Sequence, residues 1–342
     1  MNADHYAIVV GIDAYVGLKP LQAAKTDATT FAEWLLDPDG GGLPEENVRL
    51  ILSPETPAVD RIRARPARED VEIALRDFGA SENKRVGARL YFYFAGHGIG
   101  PEFDEVAMLM ANAADRSWYN IGLRPCLQLL HDKALFDEAV FVLDCCREAK
   151  TARPYRPEFE NDVGSGAAVN DFVVLASVYK GLAHEPFDEA VSRRRGLLTQ
   201  ALIEALQGAP GAVDPSGNIT SATLAEYVVP RVSALADKAV VDQQADPPRP
   251  ANPAIIFRKL APEQLPSFTL TISPGQKTQT SALVIKRGSE PGILHSRPAS
   301  GSDWVLTLPA NSRYKLEIVS SGQFYVVDPL LSVNGAYDVP LP

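Results

Sequence analysis

Phe141-Val142-Leu143-Asp144-Cys145-Cys146 is an apolar run that ends on reactive polar residues, and Leu90-Tyr91-Phe92-Tyr93-Phe94-Ala95-Gly96-His97-Gly98, roughly fifty residues earlier, has the same form. Such runs read as strands buried on both faces of a parallel sheet. In open α/β sheets a ligand lies beyond the carboxyl ends of the strands, so His97 and Cys146 are expected to meet at one sheet edge. An imidazole there can draw the proton from a thiol, and the glycines flanking His97 leave room for a substrate. The pair suggests a cysteine nucleophile with a histidine base. The residues alone do not choose between Cys145 and Cys146.

Working outward, Tyr6-Ala7-Ile8-Val9-Val10-Gly11-Ile12 reads as a first buried strand. Ala24, Ala28, Phe31 and Leu35 then recur at helical spacing before the turn Asp37-Pro38-Asp39-Gly40. Val48 to Leu52 is a second strand, Arg68 to Phe78 a helix, Arg89 to Ala95 a third strand, Ala139 to Leu143 a fourth and Asp171 to Ala176 a fifth. The alternation predicts an α/β fold, a mainly parallel sheet with helices on both faces. Helices are also expected over Leu197 to Gln207 and Ser221 to Lys238, then a proline-rich loop from Gln244 to Pro253 and a short strand at Ala254 to Phe257. From Pro266 onward short β runs alternate with Pro, Gly, Ser and Asn, which predicts a small antiparallel β-sandwich to Pro342. The expected domains are 1–260 and 261–342.

Hydrophobic residues at 46% and charged residues at 22% describe a globular chain, and a net charge of -10 argues against a nucleic-acid partner held through phosphates. The start, Met1-Asn2-Ala3-Asp4-His5, lacks a secretory signal, and no stretch approaches ~18 uninterrupted apolar residues. A cytoplasmic protein with no membrane partner is expected. Three cysteines, Cys126, Cys145 and Cys146, cannot form a disulfide framework, so free thiols are expected.

Read together, these segments resemble the caspase-like cysteine peptidases, in their metacaspase and prokaryotic caspase-like branch. The likeness spans Asp4 to Phe257. It rests on the first strand, on Leu21-Gln22-Ala23-Ala24-Lys25-Thr26-Asp27-Ala28, on Phe94 to Gly98, on Leu143 to Cys146, on Gly196-Leu197-Leu198-Thr199-Gln200-Ala201-Leu202 and on Gln244 to Phe257. The resemblance implies that Cys146, two residues after the aspartate, is the nucleophile and that His97 is the base. It implies an oxyanion held by the backbone N–H groups of Gly98 and Cys146. It also implies a pocket lined by Asp27 and Asp144, hence cleavage after arginine and less readily lysine, because paired carboxylates suit a guanidinium. Protein substrates with exposed basic residues are the implied partners, together with an upstream activating protease or regulator. Prokaryotic members often serve stress, cell-suicide or antiphage pathways.

No cofactor or metal is expected; calcium dependence occurs among related metacaspases, and nothing in this sequence supports it. The chain departs from the family's usual His-Ser-Gly after the nucleophile, carrying Arg147-Glu148-Ala149 instead, and the Arg147 charge is a candidate for holding the thiolate. Ser192-Arg193-Arg194-Arg195-Gly196 reads as an exposed basic loop and, against an arginine-directed enzyme, as a site of self-cleavage or activation at Arg193, Arg194 and Arg195. His184-Glu185 lacks partners at metal-ligand spacing and reads as structural. The contrasting expectation is a catalytically silent scaffold that binds partners through its β-domain.

Overall fold

The computed structural model describes residues 2–80, 84–157, 168–288, 291–329 and 335–342. Five parallel strands form the central sheet: β1 (His5–Gly11), β2 (Val48–Leu52), β3 (Gly87–Ala95), β4 (Phe136–Asp144) and β5 (Asn170–Leu175), in the order β2-β1-β3-β4-β5. The apolar runs ending at Ala95 and Asp144 are therefore neighbours in the interior of the sheet. Side chains alternate between its faces. Tyr93 stacks on Phe31 of α1 (Ala24–Leu36) with ring centroids 4.8 Å apart, while Phe92 stacks on Phe141 at 5.0 Å on the other face. That second face packs with Val71 and Leu75 of α2 (Arg68–Asp77) and with Cys126 and Leu130 of α3 (Leu123–Lys133). Burial on both sides explains why β3 and β4 read as continuous apolar runs.

Helix α3 and a small sheet are absent from the sequence reading. The sheet joins Asn120–Gly122, Ala107–Leu109, Gly98–Gly100 and Glu148–Ala149. Its strands are two or three residues long, too short to show a periodicity of their own.

The chain divides into two compact units, Met1–Ile203 with Ala225–Ile255, and Glu204–Leu224 with Ile256–Pro342. The second unit takes in an earlier segment because Asn218–Thr220 pairs antiparallel with Ile256–Lys259. Its core joins residues from two sheets, among them Leu270, Ile272, Ile285, Leu316 and Val327, which makes a β-sandwich. The expectation of a purely antiparallel sandwich needs correction. Ala336–Pro340 pairs parallel to Ser267–Ser273, because the last strand returns along the free side of a strand whose other side already pairs antiparallel with Trp304–Pro309.

Candidate active site

The register of β3 on β4 places Ala95 opposite Asp144, so His97 and Cys146 each lie two residues beyond the same rung. The chains then pair again, Ile99 opposite Glu148 and Gly100 opposite Ala149. Gly98 is required by close approach: a Cβ there would lie 2.5 Å from Cys145 Sγ and 2.6 Å from the Cys146 carbonyl oxygen. The backbones of Gly98 and Cys146, the two expected oxyanion donors, are thus held against each other. The His97 and Cys146 side chains line one cavity of about 140 Å³.

The imidazole is held from two sides. The backbone N–H of His97 donates to Tyr15 Oη at 2.8 Å, that hydroxyl donates to the Leu109 carbonyl at 3.3 Å, and the two rings lie 4.8 Å apart. Burial raises the Tyr15 hydroxyl well above its ordinary pKa, which keeps it a proton-bearing donor. His97 Nε2 lies 2.7 Å from the Lys19 carbonyl oxygen. A carbonyl only accepts, so Nε2 carries a proton in this contact.

Cys146 Sγ accepts a hydrogen bond from the Ala183 N–H at 3.2 Å. Burial nevertheless pushes the thiol up, and the nearby Glu148 and Asp144 charges push in the same direction. The resting residue is therefore a neutral thiol that needs a base. Cys145 is buried, with its thiol raised further.

The floor of the cavity is acidic. Asp144 ends β4, and Asp27 stands in the first turn of α1. The Gly196 N–H donates to Asp27 Oδ2 at 2.7 Å, and Thr199 donates to Asp144 Oδ2 through its N–H at 3.0 Å and its hydroxyl at 2.6 Å. A side chain at position 196 would collide with Asp144 Oδ2 at 2.3 Å and press on Asp27 Oδ2 at 3.0 Å, so Gly196 lets both carboxylates share one space. Burial raises Asp144 to about 6, and burial followed by repulsion from Asp144 raises Asp27 well above the carboxylate range. Asp27 Oδ1 is buried without a hydrogen-bond partner. The raised pKa keeps Asp27 a protonated acid, and a cation brought beside it would favour the ionised, accepting form.

Glu185, read from the sequence as structural, also lines the cavity with Asp27 and Asp144. Its carboxylate accepts the backbone N–H of Gln22 at 3.1 Å and of Ala23 at 2.8 Å, capping the start of α1. His184 also lines the cavity, its ring Nε2 3.1 Å from the Asp242 carbonyl. Inside the helix the Lys25 N–H is met by Asp13 Oδ1 at 3.4 Å, so two acids serve the start of α1.

Two expectations change on the structure. The Arg147 guanidinium is engaged away from the Cys146 thiol: it is buried, pairs with Asp246 at 2.5 Å, donates to the Ser177 carbonyl at 3.3 Å and reaches the Phe103 carbonyl. A buried cation needs such anchors. The three arginines before α4 (Leu197–Leu206) form a short hairpin rather than an open loop, with Phe187–Asp188 pairing Arg193–Arg194. Arg194 donates to Gln22 Oε1 and the Glu185 carbonyl, and Arg195 lies 3.5 Å from Asp188.

Among the described residues, no group of three His, Cys, Asp or Glu side chains forms a metal site, and no helix is long and apolar enough to cross a membrane.

The family model for the caspase domain of the C14 peptidases matches residues 4–233. The chain belongs to the caspase-domain peptidases. A probable protease from a Desulfuromonadales bacterium is 27% identical over 222 residues, which cover 61% of this chain and 26% of that protein, so the chain matches about a quarter of its relative's length. Caspase-1 from Spodoptera frugiperda aligns at 12% identity and TM-score 0.44, covering 72% of this chain and 86% of the caspase. A protein from Geobacter sulfurreducens aligns at 12% identity and TM-score 0.43, covering 76% and 96%. Membership rests on the domain match, which takes in His97, Cys146, Asp27 and Asp144 alike.

Proposed function

We propose that this caspase-domain protein is a cysteine endopeptidase that cleaves proteins after arginine, and less readily after lysine. One observation carries the reading: His97, Cys146 and two buried acids, Asp27 and Asp144, line a single cavity, and Asp27 Oδ1 there has no hydrogen-bond partner. A guanidinium entering it would supply donors to Asp27 Oδ1 and positive charge to both acids. Glu185 lines the same cavity and adds negative charge there, although its oxygens already accept the Gln22 and Ala23 N–H groups.

In this mechanism His97 Nδ1 takes the Cys146 proton as Sγ attacks the carbonyl carbon of the bound basic residue. The Gly98 and Cys146 N–H groups receive the oxyanion; losing one such donor typically costs ~10²–10³ in turnover. Collapse breaks the C–N bond, His97 returns the proton to the leaving amine, and water hydrolyses the thioester with His97 again as base. Arg193 to Arg195 is a candidate site for processing by a second copy or an upstream protease, which requires the hairpin to open. A protein in which all three are alanine should then stay uncut through an incubation that nicks the parent chain.

The deciding experiment is hydrolysis of matched fluorogenic peptides ending in Arg, Lys, Asp or Leu by the parent protein, Cys146→Ala and Cys145→Ala. Arginine-selective turnover lost in Cys146→Ala and kept in Cys145→Ala is expected. Faster cleavage after aspartate would reject the assigned pocket.

A further inference from the structure

A second cavity, of about 310 Å³, adjoins the one holding Cys146 and shares Ala183, His184 and Glu185 with it. The wall they share is three consecutive residues, so an extended substrate crossing from one cavity to the other, at about 3.3 Å per residue, needs only a few residues to do so. The charge changes sign across that wall. The first cavity ends on carboxylates, whereas Lys19 and Arg194 border the second. Glu185 is the one carboxylate among its lining residues, and its oxygens already receive the backbone N–H groups of Gln22 and Ala23.

Arg194 is fixed in place there. Its Nε donates to Gln22 Oε1 at 3.0 Å and its Nη1 to the Glu185 carbonyl at 2.8 Å, so the guanidinium bridges the two walls. Among the described residues nothing engages its Nη2. The Lys19 side chain is exposed beside it, while the Lys19 carbonyl anchors His97. His184 is held by Gln243 Oε1 on its N–H at 2.7 Å and by the Asp242 carbonyl on its ring, so the wall between the cavities is braced.

We propose that this second cavity receives a carboxylate side chain of the substrate, Asp or Glu, within three residues on the amino-terminal side of the basic residue that fills the first. The inference rests on the peptidase reading and deepens it. A substrate with an acid near its cleaved arginine meets complementary charge at both places, and one with two basic residues meets Arg194 at the second.

Binding and turnover separate the two readings. In Cys146→Ala protein, anisotropy is measured with labelled peptides ending in Arg that carry Glu, Gln or Lys at each of the three preceding positions. Glu should bind about three- to fivefold tighter than Gln at one position, the yield of a partly exposed ion pair. That preference should vanish in Arg194→Gln, reverse toward Lys in Arg194→Glu, and shrink in about 1 M salt, where the Debye length is ~3 Å. Equal affinities at all three positions, absence of binding, or a preference untouched in the correctly folded Arg194→Gln protein would overturn the proposal. A retained binding preference with no turnover of any peptide by the unmutated enzyme would overturn the peptidase reading and leave the anion site standing.

Discussion

The two ends of β3 and β4 bury charge in opposite ways. At the amino end, Arg89 is buried opposite Glu138, donates to it from Nε at 2.6 Å and donates from Nη1 to Tyr91 Oη at 2.8 Å. Each charge there meets its complement. At the carboxyl end, Asp144 and Asp27 are buried against each other, and one oxygen of Asp27 has no donor. Paired charge at one end holds strands together; two acids crowded into one buried space at the other resist ionisation and favour a cation.

The largest effect that could break this contrast is on activity. Asp27→Asn should lower kcat/KM for arginine peptides about 10²-fold, the loss of a charge-assisted contact in a desolvated site, whereas Glu138→Gln should leave kcat/KM of the folded enzyme unchanged. Stability should respond in the reverse sense. Glu138→Gln strands the buried Arg89 and should cost about 3 kcal/mol in denaturant titration. Asp27→Asn removes an acid whose ionisation burial and Asp144 oppose, and should stabilise the empty protein by about 1 kcal/mol at alkaline pH, where Asp27 would otherwise have to ionise. Destabilisation by both changes would show that the carboxyl end is an ordinary structural network.

The pH dependence sharpens the same point. Asp144 is raised to about 6 in the folded chain, above the ~3.9 of an unfolded aspartate. The folded protein therefore holds a proton that the unfolded chain releases, so this group's contribution to stability is full below about pH 4 and is lost as pH rises through about 6. Asp144→Asn should flatten that slope in melting curves. Arginine binding prefers the ionised acid, so KM for arginine peptides should fall over the same window while stability falls too. A smaller effect concerns the thiols. Alkylation of Cys146 in the resting enzyme should be slow at neutral pH and accelerate toward its raised pKa, with Cys145 and Cys126, the latter pushed up to about 12, lagging behind.

Much of the central domain is legible from periodicity. Strands β1 to β5 fall within three residues of the boundaries expected, because apolar runs buried on both faces interrupt helical spacing sharply. Helix α3 was lost in a stretch where Pro125 and Cys126 interrupt the pattern, and Ala336–Pro340 was lost because Asp338 and Pro340 dilute a short strand. The parallel pairing of that last strand depends on which side of its neighbour is vacant, and local residues do not encode this.

The sequence by itself determined the alternation of strand and helix, and it placed a histidine and a cysteine at the ends of two apolar runs, because burial writes itself into residue order. The tertiary structure alone decided how those groups are tuned. The Lys19 carbonyl meets His97 across 78 residues, the Gly196 N–H meets Asp27 across 169, and Glu185 caps α1 across 162. Arg147 sits beside the nucleophile in the chain and turns instead to Asp246, 99 residues away, because a buried guanidinium follows its nearest sufficient acceptors rather than its neighbours in sequence.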